Sequence, residues 1–281
     1  MNSDYQLIAK AITFLETQLD KQPDSKPTTE EIAAHLEMTS FQFRRVYTRW
    51  INLTPKRNLQ IISKERGVQL LAEAPSLPII EKQEGIIGGM QTFNHNVVIE
   101  SWLPSSYKHG PGYDITIDYS VHDSPFGKMF VAETPRGICK VSFANGRPLL
   151  AFVIELHRLW PVATIRQKES ETRAVFASIF SRDKPIRKPL SLHLCEVPPR
   201  VRIWRALLET APGSLVHPQL LADAAKRRRG SLAARKALAT NPIAFFIPCH
   251  RGIDADGHVG NYRWGTTRKH AIHAWESAGL V

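Results

Sequence analysis

The stretch Asn241-Pro242-Ile243-Ala244-Phe245-Phe246-Ile247-Pro248-Cys249-His250-Arg251 puts a thiol directly beside an imidazole. A thiol becomes a nucleophile only as its thiolate, and an imidazole that relays the proton to a carboxylate supplies the means. An acid able to orient His250 is therefore the group to look for. The same residues also fit an inert cysteine, the commoner case, because free Cys is often buried in apolar segments. The three cysteines, Cys139, Cys195 and Cys249, lie more than 50 residues apart with no C-x-x-C pair. That spacing argues against a disulfide framework and against a structural zinc site, so no metal is expected.

A second chemical feature is positive charge. The chain of 281 residues has 37 Lys+Arg against 26 Asp+Glu, a formal net charge of +11. Residues 40–66 hold seven Lys/Arg and one acid, and Lys226–Lys236 holds six basic residues in eleven and no acid. Clustered cations of this kind point to nucleic acid more strongly than net charge alone.

The elements that carry these residues follow from periodicity. Leu7, Ile8, Ala11, Ile12, Leu15 and Leu19 fall at helical spacing, and the polar stretch Lys21–Pro27 ends that helix. Thr28 and Glu31 read as a capping box for a second helix, with Ile32 and Leu36 on its apolar face. Ser40 or Thr39 caps a third, whose apolar side is Phe43, Val46, Tyr47 and Trp50 and whose opposite side is Gln42, Arg44, Arg45, Thr48 and Arg49. Two short helices and a tight turn with a basic front suit a helix-turn-helix in the major groove, or equally a bundle helix with a solvated face. After His109-Gly110-Pro111-Gly112 the period changes: Tyr113–Tyr119 alternates like a strand, as does Gly137–Phe143 before an Asn145-Gly146 turn. Residues 149–160 and 171–180 read as helices, Pro185–Leu194 as strand-like, and the chain from Val201 onward as mostly helical. No apolar run approaches the roughly 18–20 residues of a membrane span, and the N-terminal helix lacks the pattern of a signal peptide, so a cytoplasmic protein without membrane partners is expected.

The run from Thr28 through Asn52-Leu53-Thr54-Pro55-Lys56 to Arg66 and Leu71 resembles the first helix-turn-helix of AraC-type regulators. Leu70–Gly110, with Ser76-Leu77, Gly85, Gly88-Gly89 and Leu103-Pro104-Ser105-Ser106-Tyr107-Lys108, is a degenerate match to the second. It reads Thr92, Asn94, His95 and Asn96 where recognition residues would be basic, which suits packing or phosphate contact more than base readout.

The Cys249 segment closely resembles the P-C-H-R motif of O6-alkylguanine-DNA alkyltransferases. Gly257, Gly260-Asn261-Tyr262-Arg263-Trp264-Gly265 and Arg268-Lys269 extend the likeness, and Glu276 falls 27 residues after Cys249, where that family has its Glu. Ser124-Pro125-Phe126-Gly127 and Arg136-Gly137-Ile138-Cys139 look like the family's N-terminal subdomain. AraC-type helices followed by an alkyltransferase are the combination of the Ada family of adaptive-response proteins, here without the four-cysteine zinc domain of its full-length members. The resemblance implies a suicide reaction on double-stranded DNA carrying an alkylated guanine, without a cofactor. Cys249, activated by His250 through a water and oriented by Glu276, would take the alkyl group from guanine O6. Asn241 would be the hinge residue, Asn261 and Tyr262 would lie in the substrate pocket, and Cys139 and Cys195 would be structural.

Two positions depart from the family. Where it has a Tyr that assists flipping and an Arg that fills the vacated stack, this chain has Pro218 and Leu232; the G-T-x-F-Q signature is replaced by Glu196–Arg200. Leu232 is an apolar wedge, and Arg235 or the Arg227-Arg228-Arg229 cluster would be substitutes or phosphate contacts. The architecture expected is α+β and multidomain: an all-α AraC-type region over about 1–110, a small α/β, ribonuclease-H-like subdomain over 113–190, and a helical, winged-helix-like active-site domain over 191–281. The function expected is alkyl transfer to Cys249 with binding and regulation at promoter sites. The alternative is a regulator or lesion-recognition protein with little transfer. A sugar-responsive AraC-type regulator fits poorly, because no cupin-like segment is present.

Overall fold

The computed structural model describes residues 2–22, 27–51, 54–55, 97–103, 109–168, 180, 190–226, 230–254, 256–257 and 259–278. At its start are three helices, α1 (Asn2–Lys21), α2 (Thr29–His35) and α3 (Ser40–Ile51). The capping box of α2 is formed: Thr28 Oγ1 accepts from the Glu31 N–H at 3.2 Å, and the Glu31 carboxylate accepts from the Thr28 N–H at 2.7 Å. A second box opens α3, with Thr39 as its cap and Gln42 in the role of the acid; the Gln42 N–H reaches Thr39 Oγ1 at 3.2 Å and Gln42 Oε1 accepts from the Thr39 N–H at 2.8 Å. Each box satisfies two N–H groups that a short helix otherwise leaves bare.

A six-stranded mixed sheet follows, in the order β1-β6-β4-β3-β2-β5. Its strands are β1 (Val97–Trp102), β2 (Thr116–Ser124), β3 (Gly127–Thr134), β4 (Gly137–Phe143), β5 (Thr164–Gln167) and β6 (Leu190–Cys195), with the helix α4 (Leu149–Leu159) between β4 and β5. β2, β3 and β4 form an antiparallel meander; β1 and β6 pair in parallel over Val97–Trp102 and Leu190–Cys195. This corrects the expected boundaries. Residues 97–102 lie in the span read as all-helical to about 110, yet they form an edge strand, and β6 straddles the boundary drawn at 190/191. The strand read from Tyr113 begins at Thr116, because Asp114 adopts φ +60° in the turn before it. The degenerate second helix-turn-helix, with Thr92, Asn94, His95 and Asn96, and the helix read over 171–180 fall, apart from Phe180 and the ends near residues 97–110, outside the described residues.

The sheet is covered on both faces. Phe130 and Ala132 pack with Phe152, Leu156 and Trp160 of α4 and beyond. A bulge leaves Cys139 unpaired between Glu133↔Ile138 and Ala132↔Lys140, so Cys139 joins the α4 cluster and Lys140 reaches Glu155 of α4 at 2.6 Å. On the other face Met129, Val131, Val141 and Phe143 share one continuous core with α1, α3 and the C-terminal helices. Those helices are α5 (Pro198–Leu208), α6 (Pro218–Ala224), α7 (Ser231–Ala239) and α8 (Thr266–Ala278), with a single 3-10 turn at Cys249–Arg251. Among the described residues no helix is long and apolar enough to cross a membrane.

Candidate active site

The segment before Cys249 is fastened to the sheet. The Val141 N–H donates to Pro242 O and the Ala244 N–H to Val141 O, both at 2.9 Å, so β4 fixes the chain just after Asn241. The Asn241 side chain fixes the rest. Its Oδ1 accepts from the Ile243 N–H at 2.9 Å, which assigns the amide orientation. Its Nδ2 then faces Ile243 O at 3.1 Å, Ile247 O at 2.9 Å and Cys249 Sγ at 3.0 Å. Phe245 takes φ +68°, a costly conformation for a bulky residue, and its ring stacks on His250 with centroids 6.0 Å apart.

Cys249 is 4% exposed. Burial pushes its thiol up to about 11, against the opposing effects of Asn241, Lys269 and Tyr262. A thiol at rest therefore needs a base. His250 Nε2 lies 2.8 Å from Glu276 Oε1. Glu276 is buried, which alone would raise its pKa, but Arg251 and His250 hold it well below the usual carboxylate range. It is ionised and accepts only, so Nε2 carries the hydrogen and Nδ1 bears the lone pair. Burial also lowers the pKa of His250, which keeps the imidazole neutral. Nδ1 is buried without a hydrogen-bond partner. Nδ1 is thus the one ring atom of His250 left open to accept a proton.

The negative charge of Glu276 is matched. Arg251 Nη2 donates to Oε1 at 2.7 Å and Nε to Oε2 at 3.0 Å, while its Nη1 donates to Thr210 O at 2.5 Å. The Gly213 N–H adds a bond to Oε2 at 2.8 Å. A fully paired, fully hydrogen-bonded buried ion pair of this kind tolerates burial, whereas either charge alone would not. Lys269 is the residue that sequence reasoning quoted but did not place in the site. Its ammonium donates to Gly252 O at 2.6 Å and to Val259 O, and burial lowers its pKa to about 8 while the Cys249 charge raises it. It is a cation held near the sulfur, and only its place in the fold reveals that. The Tyr262 hydroxyl is buried and faces the Cys249 thiol; burial first and then Cys249 raise its pKa well above the ordinary value, so it stays a donor. Asn261 is exposed. Cys139 and Cys195 are pushed up by burial to about 12 and about 11 and have no such base.

The cationic residues fare differently. Of the basic front of α3, Arg45 is exposed, but Gln42 is turned back into its capping box, Arg44 pairs with Glu30 at 2.8 Å and Arg49 with Asp4 at 2.5 Å. Exposed pairs of this kind are weak and open readily to a phosphate. Phe41, also exposed, lies one turn before Arg44 and Arg45 on the same face of α3. Arg227, Arg228 and Arg229 lie outside the described residues. Arg235 pairs with Asp254, and Leu232 is exposed. Pro218 opens α6 with His217 as its cap, so that helix starts without the hydroxyl a Tyr would bring.

Residues 198–278 match the family model described as the DNA-binding domain of 6-O-methylguanine DNA methyltransferase. The chain is 28% identical over 246 residues to the bifunctional transcriptional activator/DNA repair enzyme Ada of Escherichia coli, covering 86% of this chain and 68% of that one. It is 27% identical over 173 residues to a rat methylated-DNA–protein-cysteine methyltransferase, covering 52% and 75%. A crystal structure of Mycobacterium tuberculosis OGT in complex with DNA aligns with a TM-score of 0.47 at 22% identity, over 58% of this chain and 97% of that chain.

Proposed function

We propose that this protein repairs DNA by moving an alkyl group from guanine O6 to Cys249, once per molecule. The observation that carries the reading is the set Cys249, His250 and Glu276. A thiol held at 3.0 Å by Asn241 stands beside an imidazole whose Nε2 is tied to a carboxylate and whose Nδ1 is free to take a proton. The thiol proton passes through a water to Nδ1, the sulfur bonds to the alkyl carbon, and the carbon–O6 bond breaks. The electron pair of that bond goes to guanine, which takes up one proton, so the thiol hydrogen is exchanged for the alkyl group. Lys269 and the Tyr262 hydroxyl stabilise the thiolate between the two halves of the step. The likeness to an Ada protein over 86% of the chain supports the same chemistry on DNA and a regulatory use. In this reading α2 and α3 form an AraC-type helix-turn-helix that presents Arg44, Arg45 and Arg49 to DNA, with Gln42 as helix cap.

A second reading, lesion recognition with little transfer, is favoured by Pro218, which leaves the first helix of the DNA-binding pair without a phenolic donor. Intact-protein mass spectrometry after incubation with an oligonucleotide carrying one O6-methylguanine decides between them. A gain of one methyl group that maps to Cys249 and is lost in Cys249→Ala is the expected result. Binding to the lesion without any gain in mass selects recognition.

A further inference from the structure

The helix α8 meets the nucleophile turn with one polar stripe. Lys269, His273 and Glu276 recur at i, i+4 and i+7, the spacing that lines side chains up along one side of a helix. All three are buried, and each takes a different part of the turn. Glu276 holds the His250 and Arg251 side chains, and Lys269 donates to Gly252 O at 2.6 Å. His273 takes neither a side chain nor a charge: its Nε2 lies 2.6 Å from His250 O. Other residues of α8 turn elsewhere, Thr267 and His270 to Glu16 of α1.

A carbonyl only accepts, so His273 carries its hydrogen on Nε2 and donates. This bond completes the backbone pairing of the turn. Pro248 O accepts from the Arg251 N–H at 3.0 Å, Cys249 O from the Gly252 N–H at 3.2 Å and Arg251 O from the Val216 N–H at 2.8 Å, while His250 O takes the imidazole. The rings of His273 and His250 also meet, tilted, with centroids 6.0 Å apart. Burial first, then His250 and Lys269, hold the His273 pKa well below the ordinary value, so this ring stays neutral. A lysine or arginine in its place would set a fixed charge against the proton that His250 is to receive.

We infer that His273 is a positioning residue for the reaction at Cys249: it fixes the main chain of His250 while Glu276 fixes the ring, and together the bonds aim Nδ1. The inference rests on the alkyl-transfer reading above and adds a residue to it. A single bond at Nε2 leaves an imidazole free to swing about that point. A second bond, at the carbonyl of the same residue, sets the Cα from which the ring hangs. Without the donor, the buried carbonyl turns toward another N–H and carries the ring with it. A small displacement of a reacting group is enough to slow the step it serves.

The test is the rate at which iodoacetamide labels Cys249, followed by mass spectrometry of the intact chain and its peptides. That rate reads the activation of the thiol without DNA. His273→Leu and His273→Met, which fill the space and donate nothing, slow the labelling of Cys249 about tenfold. His273→Gln, whose amide nitrogen stands near the place of Nε2, stays within about twofold of the wild type. Cys195, packed against the α4 cluster on the other face of the sheet, labels at the wild-type rate in every variant. An unchanged Cys249 rate in both apolar variants overturns the proposal, and so does a glutamine variant as slow as they are. A change at Cys195 that accompanies the loss at Cys249 assigns His273 to the fold alone and overturns it as well. Methyl transfer from an oligonucleotide carrying O6-methylguanine follows the same order of variants, with binding of that DNA unchanged. If the wild type takes up no methyl group while the iodoacetamide order holds, the alkyl-transfer reading fails and the positioning of His250 stands.

Discussion

His250 is constrained from one side and free on the other, and in the proposed reaction this asymmetry would set the pH dependence. Its lowered pKa means the base form is present through the neutral range, and the buried thiol, pushed up to about 11, does not ionise there by itself. The rate of alkylation by the free base O6-benzylguanine, which needs no extrusion, should therefore rise with pH as His250 deprotonates, below its ordinary value of about 6.5. It should then level off. Near pH 8 a second group acts, because Lys269 loses its charge with a pKa lowered to about 8 and the thiolate loses a cation that favours it. The rate should fall through that range, and Lys269→Gln should start slower and lack the falling limb. A wild-type rate that climbs steadily to pH 10 would instead mean that bulk deprotonation of Cys249 controls the step.

Among the elements, α3 shows how a cap decides what a helix can offer. Gln42 serves as the third residue of a capping box with Thr39, and its amide oxygen is spent on the Thr39 N–H and hydroxyl. Thr39→Ala should cost about 1 kcal/mol of stability in urea unfolding, the usual cost of a lost side-chain cap, and, if α3 is the proposed helix-turn-helix element, should weaken DNA binding with it by fraying the turn before Arg44 and Arg45. Equal stability in the variant would show that water caps this helix as well as Thr39 does. The same element scale explains what was legible beforehand. The helices α1 to α3, the Thr28–Glu31 cap and the strand Gly137–Phe143 declare themselves through local period and local hydrogen-bonding chemistry. The edge strand β1 does not, since its six residues become a strand by pairing with β6, some 90 residues later in the chain. Within the site, Cys249 and His250 are adjacent in the chain, whereas Glu276 and Asn241 were drawn in by resemblance to a family. Lys269 and the Thr210–Arg251 contact required the fold, because nothing local distinguishes a lysine in a helix from one beside a thiol.

At the scale of the molecule, the helices that carry the cationic front are not tethered to the site domain but fused with it. Glu16 of α1 lies 2.6 Å from His270 Nδ1 and accepts from the Thr267 hydroxyl at 3.1 Å, both on α8, the helix that carries Glu276. The Arg268 guanidinium stacks 5.2 Å from the Tyr5 ring and 4.6 Å from Phe143, and donates to Phe126 O at 3.0 Å, joining α1, the sheet and α8. On α3, Trp50 donates to Pro125 O at 2.8 Å and meets the Phe126 ring edge-on. Phe126 in turn packs on Phe245, which stacks on His250. Three buried faces meeting in one core leave neither part able to open without exposing the apolar surface of the other. Calorimetry should therefore show α1–α3 and the site domain melting in a single transition, with calorimetric and van't Hoff enthalpies in agreement. Trp50→Ala, which removes a part-buried ring and its hydrogen bond from that contact, should destabilise this transition as a whole by about 1–3 kcal/mol. Two resolved transitions, of which only the first moves in Trp50→Ala, would show instead that the helices are a separate unit resting on the site domain. The reactivity of Cys249 toward O6-benzylguanine, followed through the same temperature range, would then survive the first transition; in a fused molecule it ends with the one there is.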